Sequence, residues 1–325
     1  MKTNLNWKIL KPSASLLILT ALPADAQAQS AVIWSSPSFF TNGACRVIAD
    51  QTVNNSGAVL WGDGKDLTLS GGSVFNNLAD GVFKVTNNGS MVYDASSAFN
   101  NFGLFEQMTG DGTTYMGNFT NYGTVSLRSG TLSFAYDYNQ MSGATILAGG
   151  SLNTWPNHVS ILGGVLEGQG TIEAGDWNPG VFNNGTIFPT GLLKIMDASY
   201  SQTSAGAIVI ALGGTNSGSD YGQLNVARNA TLDGTLNITL ADGFKPRLGD
   251  SFQVLQCGLR RGQFAAINGP ELGAGLTLQP KYTAKGLTLT VVESRPDSPV
   301  KQVMAKTGSK LDGQSEMDEM LSYQP

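Results

Sequence analysis

Histidine is the side chain best suited to acid–base catalysis near neutral pH, and this chain of 325 residues contains one, His158. A Ser-His-Asp triad or a histidine-rich metal site would have to be built around that single imidazole. His158 follows the turn-forming sequence Trp155-Pro156-Asn157. A lone histidine in a turn is usually a polar surface residue, so we predict neither a catalytic residue nor a metal site there.

Three carboxylates, Glu167, Glu173 and Asp176, fall within ten residues and suggest the acidic pair of a polysaccharide-cleaving enzyme. Such an enzyme also needs a cationic partner, and no Lys or Arg lies between Arg128 and Lys194. We therefore interpret the three as solvated loop acids. A polysaccharide lyase or glycoside hydrolase stays open as an alternative function.

Another acidic group, Asp63, Asp66 and Asp111, lies in Gly-rich turns that resemble calcium-binding turns. Calcium takes six or more oxygen ligands, and the Gly-Gly-x-Gly-x-Asp nonapeptide of calcium-binding β-rolls is missing from the sequence. We name no metal ligands and predict no cofactor.

Aromatic residues near turns are the stronger hint of binding, because a ring at the surface can stack on a sugar or on a partner side chain. Tyr115 is one such residue, and the candidates for ligand contact are Trp155, Trp177, Tyr136 and Tyr138. The alternative is that these rings stack inside the core. The partners that this pattern favours are a glycan, an extracellular matrix or a second copy of the chain.

These side chains must be positioned by a repeat of about 21 residues, seen most clearly in Ala98-Phe99-Asn100-Asn101-Phe102-Gly103. Degenerate copies occupy residues 139–143 and 161–164. The segments between copies alternate apolar and polar residues, and no helical period is present. We predict an all-β fold, a single-stranded right-handed parallel β-helix, or solenoid. The apolar residue before each Asn pair is predicted to form an interior column of Val53, Phe75, Phe99, Phe119 and Phe182.

In such a fold equivalent residues of successive turns stack about 4.8 Å apart. Stacked asparagines then form ladders in which each side-chain amide bonds to its neighbours above and below. We assign the chain reversal to Asn, which tolerates left-handed backbone angles, and to the following Gly, which supplies positive φ. The predicted structural ladder contains Asn54, Asn76, Asn100 and Asn183.

The N-terminal residues 1–28 have the order of a secretory signal peptide, with a Lys-rich start, a short apolar stretch and Ala-x-Ala sites. Residues 29–195 contain the repeats, and residues 196–292 continue the β pattern and are expected to include a C-terminal cap. The polar segment 293–325 is predicted to be a flexible tail. We therefore expect a secreted or cell-surface protein with no membrane-spanning segment after signal removal.

Residues 160–292 resemble the passenger-type β-helix repeats of autotransporters and related bacterial surface proteins. The motifs are Leu166-Glu167-Gly168-Gln169-Gly170-Thr171-Ile172, Asn183-Asn184-Gly185-Thr186-Ile187, Ala230-Thr231-Leu232-Asp233-Gly234-Thr235-Leu236 and Gly243-Phe244-Lys245-Pro246. The resemblance implies a β-helix, export, and a role as adhesin or scaffold more often than as enzyme. The chain departs from the family in its tail: after Val292 we expect neither the membrane barrel of autotransporters nor the apolar anchor of related surface proteins.

Charged residues make up 13% of the chain, and its net charge is −5. Only Arg260-Arg261 forms an adjacent basic pair, so we expect no nucleic-acid partner. The expected function is non-enzymatic adhesion at a bacterial surface through an elongated β-helix, with a structural biofilm or surface-layer scaffold as an alternative.

The two cysteines, Cys45 and Cys257, stand about ten repeats apart, or about 48 Å along a continuous stack. A disulfide requires Cα atoms within about 7 Å. We therefore predict two unpaired thiols, each packed as a small apolar residue.

Overall fold

The computed structural model describes residues 31–34, 38–40, 47–62, 64–175, 180–241 and 243–294. These residues contain strands and turns without a helix, and the strands stack in parallel as a β-helix, so the predicted fold class is confirmed. The predicted signal peptide and all but the first two residues of the predicted tail lie outside the described residues.

The secondary structure consists of 27 strands within the described segments. Seven of them pass from one face of the β-helix to the next: the long strands β11, β13, β15, β17 and β19, and also β22 and β24. In chain order the strands are β1 Ala31–Trp34, β2 Ser38–Phe40, β3 Val47–Ala49, β4 Thr52–Asn55, β5 Ala58–Trp61, β6 Leu67–Ser70, β7 Val74–Asn77, β8 Val82–Val85, β9 Met91–Tyr93, β10 Ala98–Asn101, β11 Leu104–Met116, β12 Phe119–Asn121, β13 Thr124–Phe134, β14 Tyr138–Gln140, β15 Ala144–Asn153, β16 Val159–Ile161, β17 Val165–Glu173, β18 Val181–Asn183, β19 Thr186–Met196, β20 Tyr200–Gln202, β21 Ala207–Leu212, β22 Gln223–Leu232, β23 Thr235–Leu240, β24 Ser251–Gly262, β25 Ala266–Asn268, β26 Leu276–Thr283 and β27 Gly286–Glu293.

Successive turns place their strands on three faces. The first face contains β1, β4, β7, β10, β12, β14, β16, β18 and β20, and then the C-terminal parts of β22 and β24. The second contains β2, β5, β8, the first halves of the five long strands, and then β21, β23 and β25. The third contains β3, β6, β9, the second halves of the long strands, and then parts of β22 and β24. Strand β27 then pairs antiparallel with β24 on one side and with β26 on the other, which closes the stack.

The interior of the first face is a column of buried apolar and aromatic side chains. The rings of Phe75, Phe99 and Phe119 stack in sequence, with centroids 4.8 and 5.2 Å apart. Phe182 was predicted to continue this column and does not: it pairs with Ser201 and is half-buried on the outside, while Val181 points inward. A shift of one residue along a strand moves each side chain to the opposite face. The column in register is Val53, Phe75, Phe99, Phe119, Tyr138, Val159, Val181 and Tyr200.

Two amide ladders, not one, follow this column. In the pairs Asn54-Asn55, Asn76-Asn77 and Asn100-Asn101 the first residue is half-buried on the outer surface, where Asn76 Nδ2 donates to Asn54 Oδ1 at 2.8 Å and Asn100 Nδ2 donates to Asn76 Oδ1 at 3.0 Å. The second residue of these three pairs is fully buried and belongs to what we call the inner ladder. Asn183 lies in this inner column and not with the outer asparagines, which corrects the predicted membership. The inner column contains Asn55, Asn77, Asn101, Asn121, Gln140, Ile161, Asn183 and Gln202.

Each inner amide binds in two directions. Asn101 Nδ2 donates to Asn121 Oδ1 in the next turn at 2.8 Å, and also to Thr124 O, in the second-face strand of that turn, at 2.9 Å. Its own Oδ1 accepts from Asn77 Nδ2 at 2.8 Å. The inner ladder therefore fixes both the register of the stack and the corner between the first and second faces.

Most glycines that follow a ladder residue have a different role from the one predicted. At Gly103 φ is not positive, and a Cβ there would collide with the carbonyl oxygens of Leu78 and Gly81 in the preceding turn. Gly143 does adopt a positive φ of 70°. The paired asparagines lie in extended strands, so the chain reversal depends on close packing of glycine and not on left-handed asparagine.

Cys257 ends an inward-facing column of the third face. Its pKa is raised by burial, and Arg260 partly opposes that shift. Cys257 is a free thiol, whereas Cys45 lies outside the described residues. The column consists of Leu132, Leu152, Ile172, Ile195, Val226 and Cys257.

We expect Asn101→Leu to lower the free energy of unfolding by about 2–5 kcal/mol, because it leaves buried amide and carbonyl groups of both adjacent turns unpaired. Asn100→Leu, one residue away in the outer ladder, is the matched control and should cost less than about 1 kcal/mol, because water can reach its partners. Urea unfolding of the two variants measures both values. Equal destabilisation would mean that the inner ladder has no special role.

A second prediction concerns the thiols. Cys257 should react with a thiol reagent much more slowly in the folded chain than in urea, since burial and a raised pKa leave little thiolate. Mass spectrometry after labelling without reductant should find two labels on the unfolded chain. A mass lacking both labels would instead indicate a bridge between Cys45 and Cys257.

Candidate ligand-binding surfaces

A shallow groove crosses the corner where the third face meets the first. The turn between β11 and β12 has two residues, 117–118, whereas the turns before and after it have four, 94–97, and three, 135–137. A short turn between two longer ones leaves a depression. The groove has a volume of about 290 Å³ and is lined by Ala95, Asn118, Tyr136, Asp137 and Asn139.

Two tyrosines meet across the missing side chain of Gly117. Tyr93 and Tyr136 belong to turns separated by one intervening turn, and their rings contact edge to face with centroids 5.6 Å apart. A Cβ at Gly117 would collide with the Tyr93 ring, so glycine is required for this contact. Burial, with a smaller contribution from Tyr136, raises the pKa of Tyr93. Tyr136 remains 40% exposed and forms one wall of the groove.

The walls are held by short hydrogen bonds from neighbouring turns. Asp94 accepts from Ser97 Oγ at 2.7 Å and from the Gly71 N–H at 2.6 Å. Hydrogen bonds from Ser97 and Ser96, with that from Gly71, lower the pKa of Asp94 to about 2. On the opposite wall Asp137 Oδ1 accepts from the His158 N–H at 2.9 Å. The groove is therefore preformed on both sides.

Free polar groups line this groove. Among the described residues, no hydrogen-bond partner is found for the side-chain amides of Asn118 and Asn139. The second carboxylate oxygen of Asp137 also accepts no hydrogen bond from these residues. Amides both donate and accept hydrogen bonds, whereas a carboxylate only accepts. This set matches the paired donors and acceptors of sugar hydroxyls.

The other predicted contact aromatics have different positions. Trp155 is 62% exposed in the turn 154–158, next to the turn that bears Tyr136. Tyr138 is completely buried, and its hydroxyl lies 2.5 Å from Thr145 Oγ1, so the prediction that it contacts a ligand is wrong. Burial raises the pKa of Tyr138. Tyr115 is exposed on the third face, and Trp177 lies outside the described residues.

The structure does not bring the acidic candidates together. Glu167 pairs with Phe188 on the second face, whereas Glu173 pairs with Met196 on the third and accepts from Asn153 Nδ2 at 2.8 Å. Asp66 accepts from the Ser90 N–H, and Asp111 is exposed. Asp63 and Asp176 lie outside the described residues.

Within the described ranges, no three His, Cys, Asp or Glu residues converge as metal ligands would. The same ranges contain no helix with the length and hydropathy needed to cross a membrane. His158 is half-buried, and its backbone groups bond to Asp137 and Tyr138 in the preceding turn.

A second surface runs along the corner between the first and second faces. The residue after each inner-ladder position points outward, and in four successive turns it is apolar and 38–41% exposed. The backbone N–H of each donates to the carbonyl of the inner-ladder residue one turn earlier, at 2.7–2.8 Å. We call these residues the corner ridge: Phe102, Tyr122, Met141 and Leu162.

A charged cluster lies beside the corner ridge on the second face. Glu106 is nearly buried and pairs with Lys84 Nζ at 2.8 Å and with Arg128 Nε at 2.5 Å. The hydrogen bond from Lys84 is the largest cause that lowers the pKa of Glu106, followed by the charges of Lys84 and Arg128. The cluster carries one net positive charge.

We expect Glu106→Gln to reduce the pH dependence of stability in acid. The folded-state pKa of Glu106 is lowered, so its pairing stabilises the fold above the unfolded value of about 4.3 and is lost as pH falls through the folded pKa. Both cationic partners are well exposed, so the effect at pH 7 should be below about 1 kcal/mol. Urea unfolding between pH 7 and 3 measures it. Glu167→Gln is the control, since Glu167 lies in the same column but forms no ion pair among the described residues. An identical pH profile of stability for both variants would contradict a stabilising role for the ion pairs of Glu106.

Sequence reasoning identified one residue of the groove, Tyr136, but not the groove itself, and it missed the corner ridge. Each member of the ridge directly follows an inner-ladder position. The ridge can therefore be found in the sequence only after the inner residue of each turn is known. The groove depends on the relative lengths of three turns, which the aromatic pattern that selected Tyr136 does not report.

The fold and these surfaces are the basis for functional inference, since neither a model of a known protein family nor a curated protein matches the chain. A β-helix by itself serves binding proteins and enzymes alike.

Proposed function

We propose that this chain is an exported surface protein that acts without catalysis, by adhesion to glycans bound in the groove at Tyr136. The observation that supports this most is a preformed groove that combines one exposed ring with unpartnered amides. The ring would contact the C–H face of a sugar while Asn118, Asn139 and Asp137 bond its hydroxyls. Export is supported by the sequence of residues 1–28.

The affinity of one such groove should be weak, because it is shallow and open and its volume falls at the lower limit of small-molecule sites. Adhesion through weak sites depends on several acting at once on one surface. Trp155, in the next turn along the same corner, extends the apolar area that a longer oligosaccharide would contact.

A structural scaffold is the second candidate function. The corner ridge supports it, because four exposed apolar side chains in an unbroken row are suited to contact with another protein surface.

Replacing Tyr136 with Ala should weaken binding to glycans on an array about tenfold, corresponding to about 1.4 kcal/mol for one ring contact. Asn118→Leu should have a similar effect through the lost hydrogen bonds. Binding of the purified chain to the array identifies the sugar, and titration of that sugar by calorimetry gives the ratio.

Tyr115→Ala is the matched control, since Tyr115 is also an exposed tyrosine but does not line the groove. An array on which the wild-type chain binds nothing would argue against glycan adhesion. Equal loss in the Tyr136 and Tyr115 variants would place the sugar elsewhere.

A further inference from the structure

The corner ridge is apolar although its place in the fold does not require it. The next two residues of the same column are Asn184 and Thr203, and their N–H groups donate to the preceding turn in the same way. Thr203 Oγ1 donates to Asn184 Oδ1 at 2.7 Å, so polar side chains stack well at this corner. The apolar ridge therefore contributes something other than folding.

The ridge is not suited to sugars. The rings of Phe102 and Tyr122 are nearly parallel, at 13°, with centroids 4.8 Å apart, so each covers a face of the other. Stacking on a sugar needs an open ring face, whereas this ridge presents ring edges and aliphatic groups. Its complement is an apolar protein surface.

A strip of small or apolar, uncharged residues runs beside the ridge on the second face. Its members are half-buried and stand in register one strand apart. A twofold axis that crosses the ridge at right angles to the stack lays the ridge of each copy along the ridge of the other, antiparallel, with the two neutral strips facing each other beside it. The strip consists of Leu104, Thr124, Ala144 and Val165.

The charges support the same arrangement. Glu106 and Glu167 occupy one second-face column, linked in register through Ser126 and Ile146. Glu106 lies in the turn of the first ridge residue and Glu167 in the turn of the last. A twofold axis at the middle of the ridge exchanges those two turns, and so places the positive cluster around Glu106 opposite the carboxylate of Glu167 on the other copy.

We propose that the chain pairs with a second copy of itself, antiparallel, through the corner ridge and its neighbouring strip. The axis lies between Tyr122 and Met141. The four ridge residues span only about 14 Å, so the contact belongs to the small, transient class and should form in the micromolar range. The charge contacts lie near the edge, so salt should weaken the dimer. This pairing does not depend on glycan binding.

Sedimentation velocity of the purified chain over a range of concentrations tests the proposal. The wild-type chain should show a concentration-dependent dimer, and Met141→Lys should weaken it at least tenfold by placing two cations next to the axis. Met196→Lys is the matched control, since Met196 is also a 41% exposed methionine but lies on the third face. It should leave the dimer unchanged.

Glu167→Lys provides an independent test that does not alter the ridge, in case Met141→Lys lowers the melting temperature. It should weaken the dimer several-fold in low salt, because it sets a cation against the cluster around Glu106. A chain that is monomeric at every concentration would overturn the proposal. So would a dimer that both Met141→Lys and Glu167→Lys leave intact.

Discussion

The inner ladder of buried amides is the interaction on which the other features of this structure depend. A buried amide left unpaired costs about 1–3 kcal/mol, so a turn in the ladder region can stack only in the register that pairs Asn55, Asn77, Asn101 and Asn121 in sequence. Bonds from the same amides to second-face carbonyls also fix the corner angle. The amide-to-amide bonds are interrupted after Asn121: Asn121 Nδ2 donates to Ala144 O, Gln140 donates to the carbonyls of Gly163 and Val165, and Ile161 takes the next ladder position.

A fixed register makes the outer surface modular. Because the backbone of each turn is set by its inner residues, turn length and outward side chains can vary without moving their neighbours. The groove arises from one shortened turn at 117–118, and the ridge from the identity of one residue per turn. Neither changes the stacking beneath it.

The sequence was sufficient to predict the fold, but not which residue of each strand points into the core. A period near 21 with Asn pairs predicts stacked turns and amide ladders, since both follow from repetition. Two adjacent asparagines do not indicate which of them points inward. Because side chains alternate along a strand, a shift of one residue exchanges the inward and outward positions. Phe182 shows the same ambiguity, because the neighbouring Val181 is also apolar and can fill the interior position equally well. Tyr138 was misplaced because its position near a turn suggested the surface, whereas its ring points inward and its hydroxyl bonds to the buried Thr145, which in turn donates to Gln140.

The positions of the two surfaces make both proposals compatible. The groove lies at the corner between the third and first faces, whereas the ridge lies at the corner between the first and second. The whole first face, with its outer asparagines, separates them, so a copy bound at the ridge leaves the groove at Tyr136 open. An antiparallel pair would therefore carry two grooves held at a fixed distance. Two weak sites on one body raise the effective concentration of the second once the first is bound, so a transient dimer is a direct way for so shallow a groove to hold a repeating glycan.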